Sequence, residues 1–130
     1  MTRVAAIWAS FRRLPLWVQI WVALILVPVN LAALTCIGQP MGLWIAGLAV
    51  GGMAPNLFIL LYERGFSKAM ALPHLLIWTP LVILLGLHLA AQPAPEDAGF
   101  LWLLLAVDLV SLGFDVPDAW KWWRGDRAIA

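Results

Sequence analysis

Residues 99–127 read GFLWLLLAVDLVSLGFDVPDAWKWWRGDR, and this stretch decides the fold. It is an apolar run of membrane-spanning length with a carboxylate, Asp108, near its midpoint. It leaves through Asp115, Pro117 and Asp118 into a cluster of tryptophans and basic residues. A carboxylate in mid-bilayer costs roughly 3 kcal/mol on insertion scales, so its presence there raises a question of function. The other apolar runs are then read as the helices that accommodate it.

The totals agree with that reading. Hydrophobic residues make up 64% of the 130 residues and charged residues 12%, against roughly 45–50% and 25% in soluble domains. A hydrocarbon core about 30 Å thick takes roughly 20 helical residues to cross. Four runs meet or approach that length, at about 16–37, 42–62, 69–91 and 99–116. The expected fold is an all-α membrane protein, a single domain over 1–130 built as a four-transmembrane-helix bundle, with short interfacial helices at both ends, over 4–13 and 116–124.

Charge placement sets the expected topology. Of eight Lys and Arg residues, three precede the first span (Arg3, Arg12, Arg13). Two lie between the second and third (Arg64, Lys68), and three follow the fourth (Lys121, Arg124, Arg127). The loop between spans three and four carries only Glu96 and Asp97. Basic residues stay on the cytoplasmic side during insertion, so both termini and the middle loop are expected inside, in the plasma (inner) membrane. The single cysteine, Cys36, excludes an internal disulfide. Arg12-Arg13 ahead of an apolar run is read as the flank of a retained first span, because Leu-Pro-Leu and three more spans follow.

Within the spans, polar and small residues mark expected helix contacts. In the first, Gln19, Ala23, Leu26, Asn30 and Ala33 share a face. Pro28 is expected to kink the helix and free the Leu24 carbonyl. The second carries Gly47 and Gly51 as a GxxxG on one face, and Ala49, Gly52 and Asn56 on the opposite one. It is therefore expected to pack closely on both sides. Between spans two and three, Gly65 suits a helix C-cap and Ser67 an N-cap. The third span has His74 toward its inner end and His88 toward its outer end, about 21 Å apart along a helix, too far to share a metal. In the fourth, Asp108, Ser111 and Asp115 lie on one stripe. Asp115 is expected to cap a new helix with Pro117 in its first turn. Trp17, Trp21, Trp120, Trp122 and Trp123 are expected as interfacial anchors.

The candidate intramembrane polar site is Asp108 with Ser111, Asn30, Asn56 and His88, and the helix-packing positions are Gly47, Gly51 and Gly52. No nucleotide loop, zincin motif, nucleophile elbow or CxxC pair is present, so no catalytic residue, metal or cofactor is expected. Partners are expected to be the lipid bilayer and other membrane protein subunits, or a second copy of the chain, and not nucleic acid. The first function class is an accessory protein: an assembly factor, subunit or regulator of a larger membrane complex. The second is a small oligomeric channel or transporter using Asp108 with its Asn and His neighbours. An enzyme acting on a lipid or quinone has no motif behind it.

Overall fold

The structure, a computed structural model, describes residues 2–39, 41–91 and 98–130. It is 84% helical, with no strand among these residues, and four helices are long and apolar enough to cross a membrane. Helix α1 runs Arg3–Arg13, α2 Leu16–Cys36, α3 Gly42–Glu63, α4 Lys68–Ala90 and α5 Ala98–Trp123. The expected caps Glu96 and Asp97 lie outside the described residues.

Each long helix packs on its neighbours in chain order, and α5 returns to α2, so the four close into a bundle. Its core is a column of fully buried side chains: Ile45 and Ala49 from α3, Trp78, Leu81 and Leu85 from α4, and Leu101 and Leu104 from α5. Helix α1 starts on a Thr2 cap, whose Oγ1 accepts from the Ala5 N–H at 3.1 Å. It lies against the turn between α3 and α4, where buried Ser10 accepts from the Phe66 N–H at 2.9 Å.

Two of the prolines change the helices in a specific way. A proline has no N–H to donate, and its ring collides with the carbonyl four residues back. In α2 the strain is taken up by a π-helical turn over Trp21–Leu26, immediately before Pro28; in α4 a second covers His74–Trp78, before Pro80. Such widened turns recur at functional sites.

Three sequence expectations are corrected. Helix α5 does not end at Asp115; it runs unbroken to Trp123 with Pro117 inside it, so 116–124 is no separate helix. The reason is that Asp115 turns its carboxyl across to α4 instead of back onto its own backbone. Helix α3 packs within this chain on one small face, not two. Gly52 lies so close to the Trp78 indole that an added Cβ would collide with it. The Gly51 Cβ position reaches only Ile77 Cγ2, at 4.0 Å, and the Gly47 one meets nothing within 4 Å. The cap of α3 is Arg64, in the left-handed region at φ 58°, and not Gly65. Gly65 instead sits beneath Ile129 and Ser10, where no side chain fits.

The segment after α5 folds back on the same end. Gly125, at φ 107°, ends the helix in a Schellman turn: Gly125 N–H reaches the Trp122 carbonyl at 3.0 Å and Asp126 N–H the Lys121 carbonyl at 2.9 Å. Ile129 then pairs with Ser67, and the Ala130 N–H donates to the Phe66 carbonyl at 2.8 Å. Arg13 donates to the Ala130 carbonyl at 2.8 Å, and Lys68 meets Asp126 at 3.2 Å. Both ends of the chain and the α3–α4 turn are thereby tied together.

Candidate functional site

The stripe on α5 organises two buried polar clusters. Asp108, Ser111 and Asp115 are 0%, 3% and 8% exposed, so the whole stripe faces inward.

The first cluster joins α5 to α2. Asn30, fully buried, uses both amide hydrogens: Nδ2 donates to Asp108 Oδ1 at 2.8 Å and to the Leu26 carbonyl at 2.9 Å. That carbonyl lies at the end of the π-turn, one turn before Asn30. Asn30 Oδ1 and Asp108 Oδ2 are both buried without a hydrogen-bond partner among the described residues. A cross-helix bond of this kind is worth about 0.6 kcal/mol in a membrane, and leaving one partner buried alone costs about 1–3 kcal/mol.

The second cluster joins α3, α4 and α5 toward the end of the bundle that holds the α3–α4 turn. His74 stands between Asn56 and Asp115, with Nε2 2.8 Å from Asn56 Nδ2 and Nδ1 3.1 Å from Asp115 Oδ2. With the Asn56 amine donating to Nε2, the ring carries its hydrogen on Nδ1 and donates it to the carboxyl. Turning the amide over would make His74 a donor at both nitrogens, the arrangement of a protonated ring. Ser111 Oγ donates to the same Oδ2 at 3.4 Å. The imidazole is also held flat on Trp78, with ring centroids 4.0 Å apart at 7°. Trp78 in turn donates Nε1 to the Ala49 carbonyl at 3.0 Å. Close approach at Gly52 makes that stack possible.

The structure thus brings Asp108 to Asn30, and Ser111 and Asn56 to a different centre. His88 joins neither; its Nε2 is buried without a partner among the described residues. Its separation follows from position, fourteen residues and almost four turns beyond His74. Asp115 and His74 are site residues that sequence reading took for a cap and for a residue toward the inner end of the third span, outside the candidate site. The signal available was the stripe itself, since Asp115 is on it at i+7 from Asp108. Nothing in the sequence pairs His74 with it. Among the described residues no group of three His, Cys, Asp or Glu side chains could hold a metal.

The second cluster forms part of the wall of a cavity of about 950 Å³ between α2, α3, the first turns of α4 and the Ser111–Asp118 part of α5. Most of the wall is apolar, from Trp21, Val22 and Leu26 on one side to Val50, Met53 and Leu57 on the other. Its rim includes the exposed side chains of Trp17, Leu31 and Leu57, so it opens sideways from the bundle. Ile129 and Ala130 line it beside the α3–α4 turn. Of the expected anchors, Trp17 and Trp21 line the cavity. Trp17 packs on Phe114 at 5.5 Å, Trp122 lies under Arg127 at 4.1 Å, and Trp120 and Trp123 are exposed. Compared with protein families, curated proteins and solved structures, the chain shows no match.

Proposed function

We propose that this is a small polytopic membrane protein of accessory type, lying in the plasma (inner) membrane with both termini cytoplasmic, that works by binding another membrane component. In this reading it is an assembly factor, subunit or regulator of a larger complex. The observation that carries it is the sideways-open apolar groove with the His74–Asp115 cluster set in its wall. Polar side chains that line an aqueous path follow its length. Here they are tied in pairs across helix contacts, where they hold the groove's walls in place. The gathering of Arg13, Lys68 and the residues after α5 at one end of the bundle supports the common sidedness of the termini and the middle loop.

Purification from native membranes in mild detergent should recover a larger membrane protein near one-to-one stoichiometry. A chain that purifies alone and passes protons or ions across liposomes would refute the accessory reading. It would favour the second one, a small oligomeric channel or transporter. That reading draws on the buried, unpartnered Oδ2 of Asp108 and Oδ1 of Asn30. Sidedness is tested separately in a background lacking Cys36. A cysteine replacing Glu96 should react with an impermeant thiol reagent in intact cells, and one replacing Ser67 should not; reversed labelling overturns the topology.

A further inference from the structure

The polar part of the groove wall holds an acceptor that the protein does not use. Asp115 receives both of its hydrogen bonds, from His74 and Ser111, on Oδ2. Its Oδ1 receives none from the described residues, although the side chain is held in one orientation and the residue is only 8% exposed. Asp115 lines the groove, so that oxygen is open to a donor arriving from it.

Depth and charge select the donor. Asn56 comes seven residues before the end of α3 and His74 six after the start of α4, placing the cluster about 10 Å inside the inner helix ends. A phosphate at that depth would lose its water without gaining a cation. The charged residues of the wall are Lys68, Asp115 and Asp118, and Lys68 is already engaged with Asp126 at 3.2 Å. A small neutral hydroxyl fits instead, because it is easily desolvated and can donate to a carboxyl oxygen. Beyond the cluster the wall is apolar along both α2 and α3, as a hydrocarbon chain requires. The volume of about 950 Å³ is that of a site for one large apolar molecule. The sideways opening lets such a molecule arrive from the hydrocarbon phase.

We propose that the groove binds a neutral lipid with a free hydroxyl head, of the diacylglycerol class, with its hydroxyl donating to Asp115 Oδ1 and its hydrocarbon along the α2–α3 wall. The proposal rests on the reading of this chain as a binding protein and names what it binds.

The test uses the purified full chain in nanodiscs with a dioleoylglycerol probe carrying a diazirine in one acyl chain, the adducts being mapped by mass spectrometry. Adducts should concentrate on residues 21–31 and 50–57. Excess unlabelled dioleoylglycerol should suppress them, whereas its 3-O-methyl ether and dioleoylphosphatidylglycerol should not. Asp115→Leu should weaken competition about tenfold, the equivalent of one hydrogen bond. Asp115→Asn, which keeps an acceptor, should restore most of it. Ala54→Phe narrows the groove away from the cluster and should reduce labelling in a chain whose melting is unchanged. Adducts spread equally to outward-facing positions such as Ile83 and Leu87 would overturn the proposal. So would equal competition by phosphatidylglycerol. Displacement by a short-chain ubiquinol but not by dioleoylglycerol would assign the groove to a quinol and overturn the lipid assignment. The native purification described above does not depend on this result, so failure of either reading is seen separately.

Discussion

Replacing Gly52 by alanine tests the packing on which the His74 cluster depends. The added Cβ would collide with Nε1 and Cδ1 of the Trp78 indole and come within 2.8 Å of Cε2. The indole has nowhere to go. It is fully buried, donates to the Ala49 carbonyl at 3.0 Å and stacks on His74 at 4.0 Å. Overpacking of this kind costs about 1–3 kcal/mol. Displacing the indole forfeits a buried cross-helix hydrogen bond of the kind worth about 0.6 kcal/mol, at most about 1.7, between membrane helices. Against these, alanine gains about 0.5–1 kcal/mol over glycine in a helix interior. The balance is a destabilisation of about 2 kcal/mol. Gly47→Ala provides the control, because its Cβ meets nothing within 4 Å and only the helix-forming gain remains. Gly51→Ala, 4.0 Å from Ile77, should behave like it. Reversible unfolding of the three variants in mixed micelles should therefore separate Gly52→Ala from the other two by about 2–3 kcal/mol. Equal stability of Gly52→Ala and Gly47→Ala would refute the close α3–α4 approach and the assignment of Trp78 as the support of His74.

Asp108→Asn should leave stability nearly unchanged, since an amide can still accept from Asn30. Asp108→Leu should cost about 1–3 kcal/mol by stranding the Asn30 amide hydrogen. Loss of cellular function in a stable Asp108→Asn variant would point to a proton or cation carried by this group, against a purely packing role. At the other end, Lys68 holds the exposed Asp126 carboxyl below its usual pKa, mainly through their hydrogen bond. A lowered folded-state pKa means the tie contributes above the usual carboxylate range and is lost as pH falls through the folded value. Asp126→Asn should imitate that loss at neutral pH. Hydrogen exchange at the Ala130 amide, bonded to the Phe66 carbonyl, should then rise, and unchanged exchange would show that the pair does not hold this segment.

How much was legible in advance differs between the helices and the site. Four apolar runs are local facts, and the helices Leu16–Cys36, Gly42–Glu63, Lys68–Ala90 and Ala98–Trp123 follow the expected spans within a few residues, except at the far end of the fourth. The i, i+3, i+7 stripe of Asp108, Ser111 and Asp115 was equally readable, because helical periodicity alone puts them on one face. Asn30 as the partner of Asp108 was one of several candidates at suitable depth. The sequence offered no means of ranking it above His88. GxxxG spacing pointed to Gly47 and Gly51 as readily as to Gly52.

By itself, then, the sequence determined the class of structure, the number of long helices and the buried face of α5, since all three depend on composition and on a period of 3.6 residues. Only the tertiary structure decided that Asp115 crosses to His74, that Asn56 belongs to that pair, and that Gly52 is the point of close approach. Each of these joins residues 18 to 41 positions apart, as in the Asn56–His74 and His74–Asp115 bonds. Such pairings depend on how each helix is rotated and how far it slides against its neighbour. Among lipid-soluble helices hydrophobicity favours no particular rotation, so the choice falls to side-chain shape and to a few hydrogen bonds.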